Sequence, residues 1–318
     1  MVRVHVGTTL PFPSPPHPIR STILTTMSPF SPSLLSTTRC FSCKIDRYTH
    51  TSPTLGSLPA TFSVILPPTA TAAIYWLSGL TCTDQNFVIK AAAASHAHEH
   101  SVAIICPDTS PRGAGTPEED DTWDFGTGAG FYVDATTEPY KKHYRMASYV
   151  VHELPLVVKE VLGDKVGEAK AIMGHSMGGM GALSLALRNP GLYTSVSAFS
   201  PIANPVNCPW GEKCYSKYLG ENREAWGGYD PSVLMKKRGE PLVSRILVEQ
   251  GGADEFLEKQ LMTNRFMEAC TEVGQKVTLN MAEGYDHSYY FIQTFIGKHV
   301  EFHAEQLRKA GKTSSGGV

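Results

Sequence analysis

Seven short apolar runs separated by stretches with helical spacing constrain the fold of this chain more than any other feature. The runs are residues 61–66, 73–77, 102–106, 171–173, 196–199, 246–248 and 277–279. They are rich in Val, Ile, Leu, Phe, Tyr and Trp, and Pro67-Pro68 ends the first of them. Between them, residues 87–99, 146–162, 177–188, 261–272 and 289–307 read as helices. Apolar strands that alternate with helices are buried on both faces, which predicts an α/β fold with a mostly parallel central sheet and helices on both sides. Over 318 residues no internal repeat is apparent, so we expect one domain over residues 39–310, with loops supplying its length. A short tail, 311–318, is expected to be flexible.

Charge and cysteine usage exclude several classes. Lys plus Arg is 28 and Asp plus Glu is 30, without the basic excess that a general binder of nucleic acid or anionic membrane needs. No apolar run approaches the ~18 residues of a membrane span. Seven cysteines, with one C-x-x-C pair at Cys40 and Cys43 and no second pair, form neither a disulfide framework nor a zinc ribbon. Free thiols in a reducing compartment and no metal site are the expectation.

The first 38 residues differ in kind. They are rich in Ser, Thr and Pro, carry Arg3 and Arg20, and no acid precedes Asp46. Such a composition buries too little apolar surface to offset ordering entropy. We read 1–38 as a disordered extension. Its acid-free bias also resembles a targeting segment, although prolines at 11, 13, 15, 16 and 18 interrupt any amphipathic helix. Cytoplasmic localisation is the primary expectation, and organelle targeting the secondary one.

The chemistry centres on Gly174-His175-Ser176-Met177-Gly178. A G-x-S-x-G pentad between an apolar strand and a helix is a nucleophile elbow, in which small flanking residues let the serine project above the sheet. A serine hydroxyl is a poor nucleophile at neutral pH, so it needs a base, and the base needs an orienting carboxylate. Ser, acid and His follow in that order along such a chain. Three histidines follow Ser176. His299 and His303 lie four apart on the last helix, where a solvated face is expected. His287 stands in a turn between the last strand and that helix, so it is the expected base. For the acid, Asp254 follows the Gly251-Gly252 turn after the 246–248 strand. Asp286 is its rival, and Glu249 and Glu255 are further alternatives. The oxyanion of an acyl-transfer site needs two donors. The Met177 amide follows the nucleophile, and Leu80 in Ser78-Gly79-Leu80 offers the second.

Other features weigh less. His96, His98 and His100 read as a solvated helix end rather than a metal site. Gly126-Thr127-Gly128-Ala129-Gly130 misses the dinucleotide-loop spacing and reads as a flexible loop flanked by Trp123 and Phe131. The acidic run 118–121 reads as solvated. Cys82 and Trp210 are candidates for the pocket edge.

Six stretches carry a wider likeness: YWLSGLTCTDQNF from Tyr75, PDTSPRG from Pro107, WDFGTGAGFYVDAT from Trp123, GHSMGGMGAL from Gly174, SAFSPIANPVNCPWG from Ser197 and EGYDHSYYFI from Glu283. In that order the chain resembles the S-formylglutathione hydrolases (esterase D) of the α/β-hydrolase superfamily, over about residues 40–307. The resemblance implies an α/β-hydrolase fold, with nucleophile, acid and base at Ser176, Asp254 and His287 and oxyanion donors at the Leu80 and Met177 amides. It implies hydrolysis of S-formylglutathione to glutathione and formate without a metal or organic cofactor, in a cytoplasmic enzyme that is often dimeric. Two alternatives stay open: a broad carboxylesterase for short acyl esters, and an acyltransferase to an alcohol. Residues 1–38 match nothing in that family.

Overall fold

The structure is a computed structural model that describes residues 30–314. Its centre is a nine-stranded sheet in the order β1-β2-β3-β5-β4-β6-β7-β8-β9. The strands are β1 (Ser33–Cys40), β2 (Cys43–Ser52), β3 (Leu58–Leu66), β4 (Ala72–Leu77), β5 (Val102–Pro107), β6 (Lys170–His175), β7 (Val196–Phe199), β8 (Ile246–Gly251) and β9 (Val277–Ala282). From β5 through β9 every neighbouring pair is parallel. The first three strands join β5 as an antiparallel edge.

The helices are α1 (Asp84–Lys90), α2 (Ala93–His100), α3 (Met146–Ser148), α4 (Leu154–Leu162), α5 (Met177–Arg188), α6 (Pro209–Leu219), α7 (Arg223–Trp226), α8 (Pro231–Arg238), α9 (Thr263–Glu272) and α10 (Tyr289–Ser314). One expected helix, 87–99, is split: Ala92 takes φ 53° between α1 and α2. Another, 146–162, passes through a π turn, Tyr149–Glu153, between α3 and α4.

The continuous apolar runs of β4 to β8 follow from helices on both faces. Along β4 the period of two sends Ala73, Tyr75 and Leu77 into a core beneath α4 and α5. Ala72, Ile74 and Trp76 enter a second core with residues of α2 and α10, among them Ala97, Phe291, Ile292 and Ile296. Trp76 stacks on Phe87 of α1 at 3.9 Å between ring centroids.

Two expectations about the ends of the chain change. Residues 33–38, expected to be part of an extension, lie in β1, which pairs with β2 from Ser33↔Thr49 to Cys40↔Cys43. Every β1 side chain is exposed. The strand is held by its backbone ladder rather than by burial, and composition does not report a ladder. Residues 1–29 and 315–318 lie outside the described residues, whereas 311–314 continue α10.

His299 and His303 are a correction. Both are fully buried, because the face of α10 that carries them meets polar positions of β7 and β8. His303 bridges Ser195 and Ser197 at 2.7 Å each. His299 Nδ1 lies 2.8 Å from Ser197 Oγ, and its ring stacks on Phe199 at 3.8 Å. A histidine counts as polar in an amphipathic pattern, so partners waiting on another element are invisible to that pattern. Burial pushes both imidazoles below their ordinary value; neighbouring His299 adds to this for His303, and burial outweighs Glu249 for His299. In the unfolded chain these groups take up protons near pH ~6.5. Their contribution to stability is therefore present above that pH and lost as pH falls. We expect the melting temperature to fall between pH 7.5 and 5.5, and to fall less steeply in His303→Gln. A flat profile would remove this account of the histidine pair.

Candidate active site

β4 lies where the strand order reverses, with β5 on one side and β6 on the other. In open α/β sheets, ligands bind in the crevice outside the carboxyl ends of the strands at such a reversal. Leu77 pairs with Gly174 at that end, so the turn after β4 and the elbow after β6 lie side by side.

The elbow is strained and tightly enclosed. Ser176 adopts φ 58°, ψ −120°, a backbone state that costs a non-glycine residue on the order of 1–3 kcal/mol and persists only where its surroundings dictate it. Those surroundings are explicit. The Ser176 amide donates to Phe199 O at 2.9 Å, and its carbonyl accepts from the Met180 and Ile202 amides. A Cβ on Gly174 would collide with the Gly178 carbonyl, and one on Gly178 with the Leu77 carbonyl. We therefore expect Gly178→Ala to cost ~3 kcal/mol or more in stability, since rigid backbone cannot relax around overpacking. Gly167→Ala, whose new methyl meets only ordinary contact at 3.4 Å, serves as the comparison in urea unfolding. Equal midpoints for the two variants would contradict the steric argument.

The turn after β4 presses on the elbow. A Cβ at Gly79 would stand 3.0 Å from the Ser176 Cβ and 3.3 Å from His175 Nδ1. The Leu80 and Met177 amides, at this junction, have no hydrogen-bond acceptor among the described residues. Met177 opens α5, whose amino-terminal N–H groups favour negative charge. The turn is braced from behind: the Thr81 amide donates to Gly128 O at 3.0 Å. The glycine-rich segment 126–130 is thus a buttress pinned at its Gly126↔Ala129 bridge, where a flexible loop was expected. Its sequence showed turn residues but not the acceptor they present.

His287 and Asp254 meet directly. His287 Nδ1 lies 2.6 Å from Asp254 Oδ2, with the Asp254 side chain fully buried and that of His287 17% exposed. The other Asp254 oxygen accepts from the Phe256 amide at 3.0 Å. Gln250 Nε2 reaches Oδ2 at 3.4 Å. Asp286 turns elsewhere: it is exposed and accepts from the Ser288 amide and hydroxyl, bonds that hold its carboxyl below the usual range. Glu249 is in β8 and faces Asn280, Lys298 and His299. Burial alone would raise its carboxyl, yet these partners hold it low.

His175, the residue before Ser176, brings the elbow to the base. Its ring lies 4.3 Å from that of His287, and burial, with His287 beside it, drives its pKa well below the ordinary value. A neutral His175 therefore packs against the base without adding charge. Among the described residues, no hydrogen bond joins the Ser176 hydroxyl to His287. Phe256 packs edge-on to His287 at 5.1 Å. Trp210 leans on Phe256 at 4.9 Å, and the half-exposed Trp123 meets Trp210. Trp210 thus touches the site through Phe256.

Cys82 is buried, with Sγ 3.9 Å from the Tyr289 hydroxyl. Burial pushes its thiol up, and its carbonyl accepts from Thr109 and Arg112. Glu119, expected to be solvated with the rest of 118–121, is buried and accepts from the Ala114 and Thr116 amides. Sequence reasoning missed Gln250, Phe256 and His175 as neighbours of the triad candidates; the first two flank Asp254 closely in sequence, which is the signal that was there. A cavity of about 600 Å³ includes Ala73, Tyr75, Leu156, Gly167 and Lys170. It opens near the amino ends of β4 and β6 and contains neither Ser176 nor His287.

Comparison with known proteins places this geometry in context. The esterase family pattern matches residues 53–302. An S-formylglutathione hydrolase of Arabidopsis thaliana is 48% identical over 280 residues, covering 86% of this chain and 98% of its own. One of Mus musculus is 49% identical over 278 residues with the same coverage. Among solved structures, an S-formylglutathione hydrolase from Agrobacterium tumefaciens superposes with a TM-score of 0.82 at 42% identity, over 86% of this chain and 99% of that one. A Staphylococcus aureus fluorophosphonate-binding serine hydrolase, FphF, shares the fold at 17% identity, with a TM-score of 0.66 over 82% of this chain and 98% of that one.

Proposed function

This chain belongs to the esterase family that includes the S-formylglutathione hydrolases, and from that premise we propose that it hydrolyses S-formylglutathione to glutathione and formate through an acyl-enzyme on Ser176. The observation that carries the residue assignment is the 2.6 Å contact between His287 and the buried Asp254, beside a serine held in a strained elbow.

His287 Nε2 takes the Ser176 proton as the oxygen attacks the formyl carbon. The Leu80 and Met177 amides stabilise the oxyanion, which is where such preorganised donors contribute most. As the oxyanion collapses, the C–S bond breaks and the glutathione sulfur leaves with the proton from His287. Water then gives a proton to His287, attacks the formyl ester, and formate departs as Ser176 recovers its hydrogen. Asp254 holds the ring with Nδ1 protonated and supports the imidazolium. The bond between serine and base commonly tightens only with substrate in place, so its absence here is compatible with this sequence. Cys82 lines the edge of the same pocket in this reading, and Trp210 backs it through Phe256.

A single catalytic unit from β1 to α10, cytoplasmic location and homodimeric assembly complete the proposal, the last two resting on the family resemblance. Light scattering of the purified chain and imaging of a tagged full-length protein test the last two. The substrate is tested by comparing kcat/KM for S-formylglutathione with that for a short acyl ester, with an acceptor alcohol present and absent. The thioester should lead by at least about tenfold, ~1.4 kcal/mol of transition-state binding. A leading ester overturns the substrate, and acyl transfer to the alcohol in place of formate release makes the chain an acyltransferase.

A further inference from the structure

The leaving group of the proposed reaction is a tripeptide with two carboxylates and one ammonium, net −1, yet nothing in the triad recognises a carboxylate. Most cations near the crevice are already engaged. Arg47 pairs with Asp84, Arg112 with Asp108, Lys213 with Asp124 and Lys217 with Glu118. Lys90, the last residue of α1, is exposed and forms no ion pair among the described residues. Its ammonium lies 5.7 Å from the centre of the Tyr289 ring, a cation–π distance that directs a flexible side chain. Tyr289 stands two residues beyond His287, and its hydroxyl reaches Cys82, two residues beyond Leu80. Lys90 is thereby attached, through Tyr289, to the rim between the segment that carries the base and the oxyanion turn. Ile89 and Tyr290, 72% and 81% exposed, add apolar surface to the same two helix ends.

We propose that Lys90 binds a carboxylate of the glutathione moiety and is a specificity determinant for the leaving group. The inference rests on the substrate reading above. A cation closing a helix also interacts favourably with the helix dipole, so the test must separate recognition from structure. The probes are S-formylglutathione and S-formyl-N-acetylcysteamine, a neutral thioester with the same reacting bond.

In Lys90→Ala, the ratio of kcat/KM for the two thioesters should fall roughly five- to tenfold, through KM, in line with a charge-assisted hydrogen bond at a partly exposed site. Lys90→Glu should lower it further and Lys90→Arg should preserve most of it. The difference between wild type and Lys90→Ala should shrink as ionic strength rises from about 0.05 to 0.5 M, because screening shortens the reach of exposed charges. Lys259→Ala removes another exposed lysine, in the π-helical turn Leu257–Leu261 after Asp254, and should leave the ratio alone. An unchanged ratio in Lys90→Ala, an equal loss for both thioesters, or an equal fall in Lys259→Ala overturns the proposal. If the wild-type chain itself does not prefer S-formylglutathione over the neutral thioester, the substrate reading fails first and takes this inference with it.

Discussion

Replacing Ser176 by alanine should reduce turnover of S-formylglutathione by roughly a thousandfold or more while leaving the fold intact, as removal of a nucleophile from a cooperating triad does. Alanine fits the site: it keeps the Cβ that stands against Gly79 and inherits the backbone strain without adding to it. The Ser176 amide and carbonyl bonds to Phe199, Met180 and Ile202 are main-chain bonds, so none of them is lost. The melting temperature should therefore stay close to that of the parent, and activity and stability should separate cleanly. A folded Ser176→Ala protein that keeps a near-normal rate removes the serine mechanism.

The second large effect should come from Asp254→Asn, with a loss in kcat of roughly 10³- to 10⁴-fold, because an amide in place of the carboxylate favours the wrong imidazole tautomer and withdraws support from the imidazolium. Asp286→Asn, one residue from the base, should change kcat by less than about threefold, since surface substitutions away from a buried network have small effects. The structural contrast behind this is plain. Asp254 is buried against His287, whereas Asp286 is exposed and spends its hydrogen bonds on Ser288. Steady-state kinetics of the two variants decide between them, and the reverse ranking transfers the role to Asp286.

Much of this was readable in the chain because the relevant signals are local. The parallel strands β4 to β9 are apolar runs bounded by turn residues, and α5 begins and ends where the elbow and Arg188 suggest. The chain order of serine, acid and base leaves Ser176, His287 and an acid among Asp254, Asp286, Glu249 and Glu255, of which Asp254 is the one in contact with His287. What escaped depends on partners distant in sequence. β1 exposes all its side chains and β2 is a mostly polar strand, so neither has a hydrophobic signature. Helices α6, α7 and α8 are short and begin at prolines or behind Asn222 and Asp230 caps, in a region that reads as loop. His299 and His303 look solvated until Ser195 and Ser197 supply their hydrogen bonds. Glu119 differs, since its partners, the Ala114 and Thr116 amides, are close in sequence; a charge run does not show that its own loop folds back onto one of its members.

The most direct test of the central claim is to locate covalent modification by a fluorophosphonate, which reports an activated serine whatever the natural substrate. Peptide mapping of the wild-type chain after labelling should place a single adduct on Ser176, with loss of activity in proportion to labelling and protection by S-formylglutathione. Ser176→Ala should take up no label. An adduct on any other residue that accounts for the lost activity, or full activity with Ser176 completely modified, would contradict the account.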